Sequence, residues 1–227
     1  MNGSIIAVQL EQAQRKVWAC ALDWPGWTRD GKDSSGALAA LAAAAPRYAR
    51  VAAAAGCPLP AGAVETIAVI RTVAGTGSSA FAPMVAAAEE HGPSSAAEAR
   101  RRAALLAAAW AELDRIAAAS TAELQKGPRG GGRDRDAVLQ HVLAAEAAYV
   151  RKLGLSLKEP VVGDRPAIAK FRAAVLKVLE QPSAGAPAVE KGWPLRYAVR
   201  RMAWHVLDHA WEIEDKSGPD VHLRPRA

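Results

Sequence analysis

Two of the five histidines in this 227-residue chain stand four residues apart, in the segment Trp204-His-Val-Leu-Asp-His-Ala-Trp211. On an α-helix, residues four apart project within about 40° of each other. His205 and His209 can therefore direct two imidazoles at one metal ion. The pair alone is a weak signal, because His-x-x-x-His pairs are often purely structural.

A third histidine makes a metal site the favoured interpretation. His141 lies in another segment of helical periodicity, beside Val138 and Val142, on a face that we expect to point inward. Three imidazoles from two helices are typical of a tetrahedral ion that keeps one position for water or substrate. The sequence predicts a divalent metal bound by His141, His205 and His209, with zinc preferred and nickel or iron as alternatives.

Two carboxylates follow the paired histidines at three-residue spacings. Asp208 or Glu212 could accept the second ring N–H of a ligand and fix its tautomer. Alternatively, they are solvent-facing partners of Arg200 or Arg201. Glu146 lies about 140° around its helix from the third histidine, so we expect a surface or packing residue there and not a ligand.

A glycine-rich basic loop, Lys126–Arg135, precedes the helix of His141. Arg129, Arg133 and Arg135 could bind a carboxylate or a phosphate. The loop lacks the Gly-Lys-Ser/Thr of a P-loop. Two interpretations stay open: a flexible basic loop, or a site for the anionic part of a substrate or thiol cofactor.

Four helices must position these residues. Helical periodicity and capping residues predict them at about 95–119, 134–153, 165–180 and 194–216. Because the connections are short, residues 95–217 are expected to form an antiparallel four-helix bundle. Residues 218–227 are expected to be a tail.

The first 75 residues carry strand signals instead. Runs of branched residues predict strands at Ser4–Gln9, Lys16–Leu22 and Val64–Val73. A helix is expected from Asp33 or Ser34 to about Ala55, kinked at Pro46. Residues 1–75 are thus predicted to be a β-β-α-β module, residues 76–94 a linker, and the whole chain an α+β protein.

Composition limits the function classes. The formal charge is +6, but the basic residues are dispersed among carboxylates and no stacking aromatics are interleaved with them. We therefore expect no specific nucleic-acid binding. The two cysteines form no disulfide framework, and neither a signal peptide nor an apolar run of about 18 residues is present. A cytoplasmic protein without membrane contact is expected.

Residues 95–216 resemble the DinB/YfiT-like metalloenzymes. The resemblance rests on Leu139-Gln-His-Val-Leu-Ala-Ala-Glu146, on Arg196-Tyr-Ala-Val-Arg-Arg-Met-Ala-Trp-His205 and on His209-Ala-Trp-Glu212. It implies a four-helix bundle with one ligand on the second helix and two on the fourth. Members of that family include thiol-dependent S-transferases and isomerases, which implies a low-molecular-weight thiol cofactor here.

Residues 1–75 more faintly resemble HicB-like domains, through Ala19-Cys-Ala-Leu-Asp-Trp-Pro-Gly26 followed by an alanine-rich helix. This module could cover the bundle or mediate a homodimer. The leading expectation is a metal-dependent enzyme acting on a small-molecule substrate. The alternatives are a non-catalytic metal-stabilised binding module and a HicB-like nucleic-acid regulator.

Overall fold

The computed structural model describes residues 5–127 and 132–217. In that part of the chain the fold is mixed α+β, with one four-stranded sheet and six α-helices. The strands are β1 Ile6–Ala13, β2 Lys16–Ala21, β3 Thr28–Gly31 and β4 Ile67–Ala74. The helices are α1 Ser34–Ala43, α2 Ala45–Ala54, α3 Ala96–Ala119, α4 Arg135–Tyr149, α5 Arg165–Leu179 and α6 Leu195–Lys216.

The sheet has the order β3-β2-β1-β4. β1 and β2 form an antiparallel hairpin, whereas β4 pairs parallel to β1 after the crossover through α1 and α2. The three predicted strands are present with shifted bounds. β1 extends through Glu11, in the stretch expected to connect two strands, because the protein buries that carboxylate and satisfies it. Glu11 accepts hydrogen bonds from the backbone N–H groups of Met84 and Val85 at 2.8 and 2.9 Å.

The sequence did not predict β3. Its residues, Thr-Arg-Asp-Gly, show no apolar alternation, and only Thr28 among them is buried. Antiparallel pairing with β2, from Val17 opposite Gly31 to Cys20 opposite Thr28, provides the hydrogen bonds that define it. Tertiary pairing therefore outweighs local propensity at this position.

The predicted helix of the N-terminal part divides into α1 and α2. Asp33 caps α1 by accepting a hydrogen bond from the Gly36 N–H at 2.8 Å. The break falls at Ala44, and Pro46 occupies the first turn of α2, where a missing N–H costs nothing. The expected single helix with a kink at Pro46 is therefore two helices, and the break lies two residues before the proline.

The four C-terminal helices match their predicted positions closely. Ser95 caps α3 in a capping box with Glu98. α4 continues as a 3-10 turn to Leu153. α6 packs along α3 and against α4, while α5 packs against α3. None of the helices in the described ranges is long and apolar enough to cross a membrane.

The N-terminal part sits directly on α6. Gly26, at a φ of 95°, allows the turn before β3 to approach the helix, since a Cβ there would lie 2.6 Å from Leu207 Cδ1. Arg29 on β3 reaches Asp208 at 3.1 Å. α6 therefore holds both parts of the chain together.

The expected linker, 76–94, is also anchored. It contains 3-10 turns at Gly77–Ala80 and Ala88–His91. Gln9 donates to the Val85 carbonyl at 3.0 Å, and Glu90 forms a buried ion pair with Arg200 on α6. These contacts fix the segment between the sheet and α6.

Candidate metal centre

The three predicted histidines come together. His141 projects from α4, and His205 and His209 lie one turn apart on α6. One nitrogen of each ring lies within 4.8 Å of a nitrogen of each of the others. The ring centroids are 4.6 Å apart for the α6 pair and 5.2 and 4.9 Å from His141 to His205 and His209. The packing of α4 against α6 alone creates this cluster.

Exposure differs between the two sides of the cluster. His205 and His209 are 7% and 9% exposed, whereas His141 is exposed to solvent. The expectation that His141 points inward is therefore wrong. Val138 and Val142 occupy the interior positions of α4, and His141, about 100° further round from Val142, lies at the edge. The cluster consequently opens to solvent beside α4.

The electrostatics favour neutral, ligand-competent rings. Burial lowers the pKa of His205 to about 2, helped by the nearby charges of His209 and Arg201. Burial also lowers the pKa of His141, with a contribution from Arg133. A metal binds the unprotonated imidazole, so neither ring must lose a proton to act as a ligand at neutral pH. His205 Nδ1 is buried and has no hydrogen-bond partner in the described part of the chain.

Glu212 stands behind one of the imidazoles. Its Oε2 lies 2.7 Å from His209 Nδ1, and its Oε1 accepts from Lys216 at 2.6 Å. The hydrogen bond to His209, followed by the one to Lys216, lowers the pKa of Glu212 to about 2 despite burial. The carboxylate therefore favours the tautomer of His209 with the proton on Nδ1. This leaves the unprotonated Nε2 as the atom that can bind a metal ion.

Asp208 takes a different role from the one expected. Its carboxylate pairs with Arg29 of β3, and no hydrogen bond joins it to an imidazole within the described ranges. Burial raises the pKa of Asp208, and Arg29 opposes the shift. Neither Arg200 nor Arg201 is its partner, because the N-terminal part supplies one instead. Asp208 thus connects β3 to α6.

The three arginines of the predicted anion-binding loop differ in what the structure shows of them. Arg129 lies outside the described residues. Arg133 is exposed, and its charge contributes to the lowered pKa of His141. Arg135 instead donates to the Ser120 carbonyl at 3.0 Å and pairs with Asp136 at 2.8 Å. The expected anion-binding role of Arg135 beside the metal is therefore not supported, because its guanidinium is turned toward the end of α3.

Arg135 also borders a cavity of about 620 Å³ between α3, α4 and α5. Its walls are mainly aliphatic, with Leu139, Val142 and Ile168 among them, and the three histidines do not line it. Its two carboxylates, Asp114 and Asp136, form ion pairs with Arg172 and Arg135, and the rest of the lining is mainly apolar. In the described part of the chain, potential metal-ligand atoms converge at the imidazole cluster and not at this cavity.

Two residues beside the cluster did not enter the sequence-based prediction as site residues. Arg201, 7% exposed, lies one turn before His205, and the Tyr149 ring centroid is 5.7 Å from that of His205. The spacing 201-205-209 could have indicated Arg201, since all three positions share one helix face.

Glu146 is fully buried and accepts a hydrogen bond from Trp110 Nε1, so it is a packing residue. Burial raises the pKa of its carboxyl group to about 7.

The donor set fits a borderline-soft divalent ion. Three imidazole nitrogens, one backed by a carboxylate, suit zinc or nickel, whereas magnesium and calcium prefer oxygen ligands. Comparisons with protein-family models, curated proteins and solved structures found no match for the chain.

Proposed function

We propose that the protein is a divalent-metal-dependent enzyme that acts on a small molecule, with His141, His205 and His209 as the metal ligands. The observation that supports this best is the convergence of three imidazole nitrogens within 4.8 Å of one another from two helices. A divalent ion bound there would act as a Lewis acid and lower the pKa of a thiol or water to generate a nucleophile at neutral pH.

The proposal extends to the DinB/YfiT-like resemblance. In this view α3 to α6 are the four-helix bundle and residues 1–75 are a HicB-like module that covers it. The reaction is an S-transfer or isomerisation that uses a low-molecular-weight thiol. The positions of the ligands support it, with one histidine on the second helix of the four and two on the last. The packing of those two helices against each other supports it as well.

Different residues of the chain would orient the metal ligands and admit the small molecule. Glu212 orients His209 and keeps its Nδ1 protonated. The exposed edge at His141 gives a small molecule access, and the positive charge of Arg133 acts on the same histidine. Positive charge at an entrance raises the local concentration of anionic ligands.

Metal content tests the proposal first. Protein purified without a histidine tag should hold about one zinc or nickel ion per chain by elemental analysis. His205→Ala and His209→Ala should lose most of it. His91→Ala is the matched control, because His91 is exposed and lies outside the cluster. Equal metal content in all four proteins would contradict the proposal.

Turnover then separates an enzyme from a binding module. The zinc-loaded wild type should accelerate the reaction of at least one low-molecular-weight thiol with a chromogenic electrophile, and His209→Ala should not. If the wild type holds zinc but accelerates none of a broad panel, the protein is a metal-stabilised binding module and the enzymatic part of the proposal is wrong.

A further inference from the structure

Arg201 shares its helix face with the two α6 histidines. It lies four residues before His205, which is about 6 Å along the helix axis. The residue is only 7% exposed, and its charge contributes to the lowered pKa of His205. A permanent positive charge is thus enclosed beside the imidazole cluster.

No protein group in the described ranges satisfies this guanidinium. Its Nε and Nη1 are buried without a hydrogen-bond partner, and no carboxylate of the described ranges forms an ion pair with it. The neighbouring residue shows what a structural arginine looks like on the same helix. Arg200 donates from Nε and Nη2 to Glu90 at 2.7 and 2.8 Å. Buried donors are almost always paired, so an unpaired charged donor requires an explanation.

Aromatic rings hold the Arg201 guanidinium in place. Its Cζ lies 4.6 Å from the Trp204 ring centroid and 5.3 Å from that of Tyr149. Stacking of this kind orients a guanidinium but leaves its N–H groups free to donate in the plane. Tyr149 also contacts the His205 ring, with centroids 5.7 Å apart. One aromatic side chain therefore borders both the guanidinium and the imidazole cluster.

We propose that Arg201 binds the carboxylate of a small ligand whose other end carries a thiol that reaches His141, His205 and His209. The proposal rests on the proposed metal-dependent function and adds the substrate or cofactor class: short mercaptocarboxylates or larger thiols that contain this unit. A guanidinium suits a carboxylate because its rigid N–H groups match the carboxylate oxygens. The anion site thus lies on α6 rather than in the loop before α4.

The test compares two ligands that differ only in charge. Zinc-loaded wild type is titrated calorimetrically with 3-mercaptopropionate and with 3-mercaptopropionamide, its uncharged isostere. We expect the carboxylate to bind about 10- to 100-fold more tightly, as for a charge-assisted hydrogen bond to a buried donor. Equal affinities in the wild type would overturn the proposal without recourse to any variant.

Two variants locate the effect. Arg201→Met should lose most of the preference while its zinc content stays at the wild-type level. Arg100→Met, which removes an exposed arginine of α3 away from the cluster, should keep the preference. Loss of the preference in both variants, or in neither, would contradict a specific role of Arg201.

The outcomes also separate this proposal from the one on which it rests. If the wild type holds zinc but shows no preference, the metal site stands and the role of Arg201 is wrong. If the wild type holds no zinc, the metal-dependent function fails, and propionate is titrated into the metal-free protein instead. Propionate binding that Arg201→Met loses and Arg100→Met keeps would support the anion site alone, and no binding would overturn it.

Discussion

Arg200 and Arg201 are adjacent and both are buried on α6, yet their surroundings differ completely. Arg200 faces the segment 76–94, where Glu90 and the Val85 carbonyl accept its hydrogen bonds at 2.7–3.1 Å. Burial alone would lower the pKa of Arg200, but the charge and hydrogen bonds of Glu90 outweigh it and raise the pKa. This side of α6 is closed: the protein itself supplies the partners of its buried charge.

On the other side of α6, which we call the open side, buried polar groups of Arg201 and His205 lack partners from the described part of the protein. Arg201 has two buried N–H groups without partners in the described ranges, and His205 Nδ1 is in the same condition. Polar groups that serve only the fold are normally satisfied by the fold. Departures from that rule are expected at functional sites, where a ligand completes the set. The contrast concerns the two buried charges, because Trp204 Nε1 and Trp211 Nε1 on the same helix also lack partners in the described ranges. Protein groups pair the guanidinium of Arg200, whereas that of Arg201 is left for the ligand that we propose.

Breaking the closed side should have the largest effect. Glu90→Gln strands the buried charge of Arg200 and should lower the free energy of unfolding by about 3–5 kcal/mol, measured by urea titration of metal-free protein. Glu89→Gln is the matched control, because Glu89 pairs with Arg71 at the partly exposed surface and should cost at most about 1 kcal/mol. Similar losses in the two variants would show that the Arg200–Glu90 pair does not hold the segment.

The open side should respond in metal affinity rather than in folding. Glu212→Ala removes the acceptor of His209 Nδ1 and should weaken zinc binding about 10- to 100-fold in a chelator competition. Asp208→Ala removes a carboxylate of the same helix that pairs with Arg29 and, among the described residues, with no imidazole, so the zinc affinity should hardly change. If Asp208→Ala weakens zinc binding as much as Glu212→Ala, the assignment of the two carboxylates is wrong.

Local spacing made the centre of the site predictable. His205 and His209 follow from a four-residue interval on one helix, and His141 needs only that α4 packs on α6. Capping residues such as Asp33 and Ser95 placed the helix starts for the same reason, because their hydrogen bonds span only three residues. These features depend on short stretches of chain.

What the sequence did not predict depends on distant partners. Asp208 forms an ion pair with Arg29, which lies 179 residues away along the chain, and no local sequence pattern predicts that pair. β3 exists through pairing with β2, and Glu11 is tolerated inside β1 because residues 79–85 cover it. His141 was expected inside because its neighbours are apolar, but Val138 and Val142 fill the interior and leave it at the edge.

The smallest expected effect discriminates best between the two arginines. Arg201→Met removes the cation–π contacts with Tyr149 and Trp204, worth about 2 kcal/mol each when desolvated, but it also removes two buried donors that no protein group in the described ranges satisfies. Because an unsatisfied buried donor costs about 1–3 kcal/mol, the two effects should nearly cancel. Urea unfolding of metal-free protein should therefore show a change within about 1 kcal/mol of zero. A loss as large as that of Glu90→Gln would mean that the fold depends on Arg201 as it depends on Arg200, and the contrast between the two sides of α6 would disappear.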